Sequence, residues 1–145
     1  MSLKLLILFS INFNLQIMKR FKYLLMSLLL VVLTLSSYSQ TNKEIILALK
    51  TGNSTELSKF FISNVELIIG EKEGVYSKSQ ALVILKDFYK TNKPKNFSVL
   101  HEGGKDGAKY VIGNLKTDKS IYRVYFLIKK QGAKSYIHTL RIEQE

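Results

Sequence analysis

The last third of the sequence, from Tyr110 to Glu143, restricts the fold most, because it reads as three consecutive antiparallel strands. Three runs are rich in Val, Ile, Tyr and Phe, and turn residues at Thr117–Lys119 and Gln131–Gly132 separate them. The runs are YVIGNL, SIYRVYFLIKK and KSYIHTLRIE. This composition excludes a helix and predicts that an antiparallel sheet ends the domain.

Alternation along the last two of these strands predicts two different faces. With Gln131–Ala133 as the loop, Ile128 stands opposite Tyr136 and Phe126 opposite His138, on an apolar face that should be buried. The other face is half apolar and half charged, which suits a protein partner or a second subunit. Its candidate residues are Arg123, Tyr125, Leu127, Ile137, Thr139 and Arg141.

The same register places Arg123 opposite Arg141, and like charges across strands are unfavourable unless something neutralises them. Glu143 and Glu66 are the intramolecular candidates for this role. The alternatives are an acidic partner, a lipid head group or a dimer mate.

Two apolar segments precede the predicted domain. The second begins at Met18, with a basic start at Lys19–Lys22, an apolar run from Tyr23 to Leu35 and small residues at Ser36–Ser39. This layout predicts a cleavable signal peptide at residues 18–39. Residues 1–17 are then an upstream extension from a mis-assigned start, and the protein is expected to be periplasmic or extracellular.

The absence of cysteine and the distribution of charge exclude several kinds of chemistry and partner. The sequence has no cysteine, which excludes disulfides, a thiol nucleophile and a lipid anchor on cysteine. Four of the 22 basic residues precede Gln40, which leaves 18 basic against 11 acidic residues and a net charge of +7. The lysines are spread along the chain, a pattern that does not indicate a nucleic-acid partner. Peripheral contact with an anionic envelope surface stays possible.

Capping signals predict the helices of residues 40–145, which read as a single domain. Thr41–Glu44 fits a capping box before a first helix that Gly52 ends, and Asn53 caps a second helix. Ser77–Gln80 opens a third helix, with a buried stripe that includes Leu85 and Tyr89. The order of two helices, a strand pair, a helix and four antiparallel strands indicates an α+β domain with helices on one face of a bent sheet.

At this level of detail the chain resembles a known family. The runs GVYSKSQALVILKDFYKTNKPKNFSVLHEGGKDGAKYVIGNL and IYRVYFLIKKQGAKSYIHTLRIE are similar to domain of unknown function 4783, a family of exported bacterial proteins. The element order resembles the nuclear transport factor 2-like, or cystatin-like, cone. The resemblance covers Lys43 to Glu145 and implies a fold and an envelope location, without an activity or catalytic residues.

In such a cone the helices close over the sheet and often leave a pocket lined by apolar side chains with a few polar groups. Strand alternation and the helix stripe give the pocket candidates Tyr89, His101, Tyr122, Phe126, Tyr136 and His138. A buried histidine loses its charge easily and could act as a base or a hydrogen-bond donor. Alternatively, each histidine is an ordinary core or rim residue.

The acidic residues argue against catalysis and metal binding. Glu66, Glu102 and Glu143 fall on the strand faces opposite the apolar sets, so no carboxylate is predicted beside His138. Two histidines without further ligands do not predict zinc, and no catalytic residue, metal or cofactor is expected. The favoured function is non-catalytic binding, by a protein partner, by self-association or by a small ligand in the cone. The alternatives are a carrier of a small apolar ligand and an isomerase-like or dehydratase-like enzyme.

Overall fold

The computed structural model describes residues 20–27, 37–105 and 107–145. Residues 20–27 are helical, and Gln40–Glu145 forms a compact unit by itself. The predicted upstream extension and half of the predicted signal peptide lie outside the described residues. Within the described residues, no helix is long and apolar enough to cross a bilayer.

The elements follow the predicted α+β order. Helices α1 (Ser37–Thr51) and α2 (Ser54–Lys59) come first, and the remaining elements are β1 (Phe61–Ile69), β2 (Lys72–Ser77), α3 (Lys78–Thr91), β3 (Pro94–Lys105), β4 (Ala108–Thr117), β5 (Ile121–Gln131) and β6 (Lys134–Gln144). The strands form one six-stranded sheet in the order β2-β1-β6-β5-β4-β3. Strands β1 and β6 run parallel, and every other neighbouring pair is antiparallel.

Three of the predicted helix signals are in place. Gly52 follows α1 with φ +66, a left-handed conformation that glycine adopts without strain. The Asn53 side chain accepts a hydrogen bond from the Glu56 amide at 3.1 Å, and Ser77 forms a capping box with Gln80. The predicted cap at Thr41 is wrong, because α1 already begins at Ser37 and Thr41 lies inside it.

The helices cover one face of the sheet, here called the inner face. Its side chains are almost fully buried and pack against one stripe from each helix. The core consists chiefly of Leu67, Val111, Leu115, Val124, Phe126, Ile137, Leu140 and Ile142 from the sheet, with Ile45, Leu49, Leu57 and Leu85 from the helices. The whole cluster lies between residues 45 and 142, so Gln40–Glu145 contains its own hydrophobic core, as is expected of a domain.

Among the register shifts of the sheet, one β-bulge in β3 and one in β6 decide which of the predicted site residues face the core. In β3, Val99 pairs with Gly113 and His101 pairs with Ile112, so Leu100 is an extra residue. In β6, His138 is the extra residue, because Ile137 pairs with Ile128 and Thr139 pairs with Leu127. An extra residue reverses the alternation on one side of a bulge relative to the other.

Candidate functional site

The candidate site lies on the face of the sheet that the helices do not cover, here called the outer face. It contains an open groove of about 550 Å³. The lining residues are Glu66 from β1, Ile112 from β4, Arg123, Tyr125 and Leu127 from β5, and Thr139, Arg141 and Glu143 from β6. An uncovered sheet face with this mixture of apolar and charged side chains is typical of an interaction surface.

Cross-strand pairing explains why these side chains come together. Tyr125 pairs with Ile112 on one side and with Arg141 on the other, so all three project from the same face. Leu127 pairs with Thr139, which in turn stands beside Glu66 on the parallel strand. Each neighbour along a strand points into the core instead, as Val124 and Phe126 do.

Charged groups on the outer face are only partly paired with one another. The Glu66 carboxylate accepts a hydrogen bond from the Thr139 hydroxyl at 2.9 Å and lies 3.8 Å from the Arg141 guanidinium. Among the described residues, the Nε atom of Arg141 is buried and has no hydrogen-bond partner. The Arg141 side chain as a whole is only half-buried and its contact with Glu66 is long, so it is still accessible to an acceptor on a partner.

The predicted clash of two arginines does not occur. Tyr125, rather than Arg123, stands opposite Arg141, and Arg123 pairs with Glu143 in the ladder. The Arg123 guanidinium forms its ion pair with Glu145, at 3.0 Å. The prediction that glutamates neutralise the arginines is therefore right for Glu66 and Arg141, whereas Glu145 takes the role expected of Glu143.

A row of aromatic rings extends the outer face toward the sheet edge. The ring of Tyr110 lies 6.0 Å from that of Tyr125 and 5.8 Å from that of His101, between centroids. Tyr110 also covers Gly103, its partner in β3, where a methyl group would come within 2.6 Å of the Tyr110 hydroxyl. The rings therefore lie close over the strands and enlarge the surface beside Arg141.

Most of the predicted surface residues are on this face. Arg123, Tyr125, Leu127, Thr139 and Arg141 all line the groove. Ile137 does not, because it pairs with Ile128 on the inner face and is fully buried. The sequence interpretation missed Ile112 and Tyr110, although their places in the alternation of β4 could have indicated them.

The predicted pocket residues are not brought together. Tyr89 and Phe126 belong to the packed core, and Tyr122 lies at the edge of a separate groove beside α3. His101 is exposed on the outer face, because the bulge at Leu100 reverses its direction. Tyr136 pairs with Lys129 next to the inward Ile137, so it points away from the core, contrary to the prediction.

Tyr89 and His138 both have polar atoms that the fold leaves without partners. Burial raises the pKa of the Tyr89 hydroxyl above its ordinary value, and this hydroxyl has no hydrogen-bond partner among the described residues. Burial, followed by the positive charge of Lys129, lowers the pKa of His138. The Nε2 atom of His138 is likewise buried and unpartnered within the described part of the chain.

Within the described residues, neither the Tyr89 hydroxyl nor the His138 Nε2 atom has an acidic hydrogen-bond partner. In the described ranges, no carboxylate forms a hydrogen bond or ion pair with His138, and no group of three His, Asp or Glu side chains could hold a metal ion. What the outer-face groove itself offers is ion pairs, hydrogen bonds and apolar contact, the interactions of a binding surface.

Comparison with known proteins identifies the family. A model of the domain of unknown function DUF4783 matches residues 42–143. A DUF4783 protein from Bacteroides uniformis with a known crystal structure is 35% identical in sequence to this chain. The two structures match with a TM-score of 0.68, over 71% of this chain and 95% of that one. A DUF4783 protein from Bacteroides ovatus is 33% identical in sequence, and its crystal structure matches with a TM-score of 0.67 over 70% of this chain and 93% of that one. No curated protein matches the sequence.

More distant structures show the wider fold. The structure described as Rd1NTF2_04 with long sheet has a TM-score of 0.60 at 20% identity, and the match covers 73% of this chain and 99% of that one. The expected nuclear transport factor 2-like cone is therefore confirmed. The family match covers β1 to β5 and all but the last residue of β6, and the chain belongs to the DUF4783 family.

Proposed function

We propose that this protein is a non-catalytic, exported binding protein that acts through its outer face, where a second copy of the chain binds. The observation that carries the proposal is Arg141, a half-buried side chain that lines an open groove and whose guanidinium has, among the described residues, only a long contact of 3.8 Å with Glu66. Export is supported by the apolar segment after the basic residues Lys19 and Arg20.

The charges of the groove favour a second copy as its occupant. Its lining has two arginines, Arg123 and Arg141, and two glutamates, Glu66 and Glu143. In a two-fold symmetric contact the same patch meets itself, so each arginine can face a glutamate of the partner. Ile112, Tyr125 and Leu127 supply the apolar contact that such an interface needs at its centre.

Analytical ultracentrifugation of the domain Gln40–Glu145 tests the proposal. The wild-type domain should sediment as a dimer at micromolar concentration, and the double substitution R123E/R141E should sediment as a monomer. The control K86E/K90E makes the same charge change on α3, away from the outer face, and should leave the dimer intact. A wild-type monomer at every concentration, or a dimer that survives R123E/R141E, would overturn the proposal.

The enzyme and carrier alternatives receive less support. An isomerase-like mechanism needs a carboxylate beside His138, and among the described residues the Nε2 atom of His138 has no hydrogen-bond partner. A carrier cavity was expected beside Tyr89, Tyr122 and His138, but Tyr89 is buried in the core and only Tyr122 lines a groove.

A further inference from the structure

The groove beside α3, here called the mouth groove, is a separate feature on the inner side of the sheet. It measures about 460 Å³, which lies within the range of small-ligand sites. Its lining residues are Ile69, Gly70, Lys72, Ile84, Asp87, Phe88, Thr91, Asn92, Tyr122, Ile142 and Gln144. None of them lines the outer-face groove.

This groove lies between one face of helix α3 and the inner side of the sheet, and the periodicity of each element determines which side chains line it. Ile84, Phe88 and Thr91 follow the spacing of one helix face, next to the stripe that α3 buries through Leu85. The facing wall is the inner side of the sheet, where Tyr122 pairs with Gln144. The groove is therefore a gap between a helix and the sheet that core side chains do not fill.

The floor and walls are apolar and ordered. Ile142 is fully buried, Ile69 is nearly so, and the rings of Phe88 and Tyr122 meet edge to face with centroids 5.1 Å apart. The Tyr122 hydroxyl donates a hydrogen bond to the Asn92 side-chain oxygen at 2.9 Å, which fixes the ring. An apolar side chain of a ligand could pack against this surface without rearrangement of the protein.

Opposite charges and neutral amides surround that floor. Lys72 and Asp87 line the groove, and in the described part of the chain neither forms an ion pair. Gln144 donates from its amide nitrogen to Ser120 at 3.0 Å, which leaves its amide oxygen to accept a hydrogen bond. Asn92 places a second side-chain amide in the same groove.

We infer that the mouth groove binds a short apolar peptide with free termini. Lys72 can pair with the terminal carboxylate, Asp87 can pair with the terminal ammonium group, and the amide of Gln144 can pair with the peptide bond. The side chains of the peptide then contact the partly exposed rings of Phe88 and Tyr122. A fatty acid fits less well, because its single negative charge would face Asp87 without compensation.

Titration of the domain Gln40–Glu145 with leucyl-phenylalanine tests this inference, with NMR chemical shifts and calorimetry as the measurements. The resonances of Phe88, Tyr122 and Ile142 should shift. Removing one charge, by K72Q or D87N, should weaken binding roughly three- to tenfold. The matched control K86Q, on the exposed side of α3, should bind as the wild type does.

Two further ligands make the result decisive. The same dipeptide with its termini blocked by acetyl and amide groups should bind at least about threefold more weakly, because it lacks both charges. Equal binding of the blocked dipeptide, binding of decanoate in preference to leucyl-phenylalanine, or no shift in the groove at millimolar dipeptide would each overturn the inference. R123E/R141E should bind the dipeptide normally, so failure of the dimer proposal is distinguishable from failure here.

Discussion

Arg141 on β6 stands directly opposite Tyr125 on β5, and its guanidinium lies 3.8 Å from the carboxylate of Glu66 on β1. Three strands therefore meet at one arginine in the middle of an uncovered sheet face. The contact with Glu66 is long and partly exposed, so its own stabilisation is small. The arrangement holds Arg141 in place while leaving part of its side chain exposed to a partner.

The hydroxyls of the buried Tyr89 and the half-buried Tyr122 should respond in opposite ways to removal. Tyr122→Phe deletes a hydrogen bond to Asn92 and should lower the free energy of unfolding by about 1 kcal/mol. Tyr89→Phe deletes a buried hydroxyl without a described partner, and should leave the free energy of unfolding unchanged or raise it by about 1 kcal/mol. Urea unfolding of both variants measures the difference. A larger loss in Tyr89→Phe than in Tyr122→Phe would contradict this account.

The raised pKa of Tyr89 predicts how the free energy of unfolding depends on alkaline pH. Its pKa is raised in the folded state, so above the ordinary tyrosine pKa of about 10 the unfolded chain loses the proton first. The protonated Tyr89 hydroxyl therefore contributes its full stabilisation below that pH. This contribution is lost as the pH rises toward the pKa that Tyr89 has in the folded state. Urea unfolding between about pH 9 and pH 11.5 should show a steeper loss of stability for wild type than for Tyr89→Phe. Equal slopes would refute the prediction.

His138 should make stability depend on mildly acidic pH. Its folded-state pKa is lowered, so its contribution is complete above the ordinary histidine pKa of about 6.5 and is lost as the pH falls toward the folded-state value. Lys129→Gln removes the second cause and should raise the pKa of His138 in an NMR titration. Lys134→Gln, on the same hairpin, is the control and should not change it. A higher pKa in Lys134→Gln alone would show that the assigned cause is wrong.

Because the centre of the domain is closely packed, we expect truncation of a side chain there to lower the free energy of unfolding substantially. Phe126 is fully buried, so Phe126→Ala should lower the free energy of unfolding by about 3–5 kcal/mol. Val83→Ala, on the exposed side of α3, should change it by no more than about 0.5 kcal/mol. Urea unfolding measures both changes. A cost below about 1 kcal/mol for Phe126→Ala would indicate an open cavity at this position rather than a filled core.

The sequence was sufficient for the element order and for the capping residues Asn53 and Ser77, because these signals are local. The composition of the outer face was also predictable. The loop between β5 and β6 is one residue shorter than predicted and the bulge at His138 adds one residue, so Arg141 and Thr139 keep their predicted side. The shorter loop shifts the register of β6 by one residue, and the bulge shifts it by one more. Only residues beyond the bulge therefore keep their predicted face, whereas Tyr136 and Ile137, which precede it, were assigned to the wrong faces.

The predicted pocket failed for a related reason. Neither Leu100 nor His138 is a residue type that marks a bulge, so strict alternation extends through both positions and turns His101 inward. Whether Tyr89 borders a cavity depends on how closely α3 packs on the sheet. That distance is set by the sum of many side-chain contacts, and no single residue encodes it.

Exchange of the charges on the outer face tests the central claim most directly. The R123E/R141E domain has an acidic outer face, and the E66K/E143K domain has a basic one, so each should sediment alone as a monomer. An equimolar mixture should form a one-to-one heterodimer at the concentration at which the wild-type domain dimerises. A mixture that stays monomeric while the wild type dimerises would show that the outer faces do not meet through their charges, and the account would be contradicted.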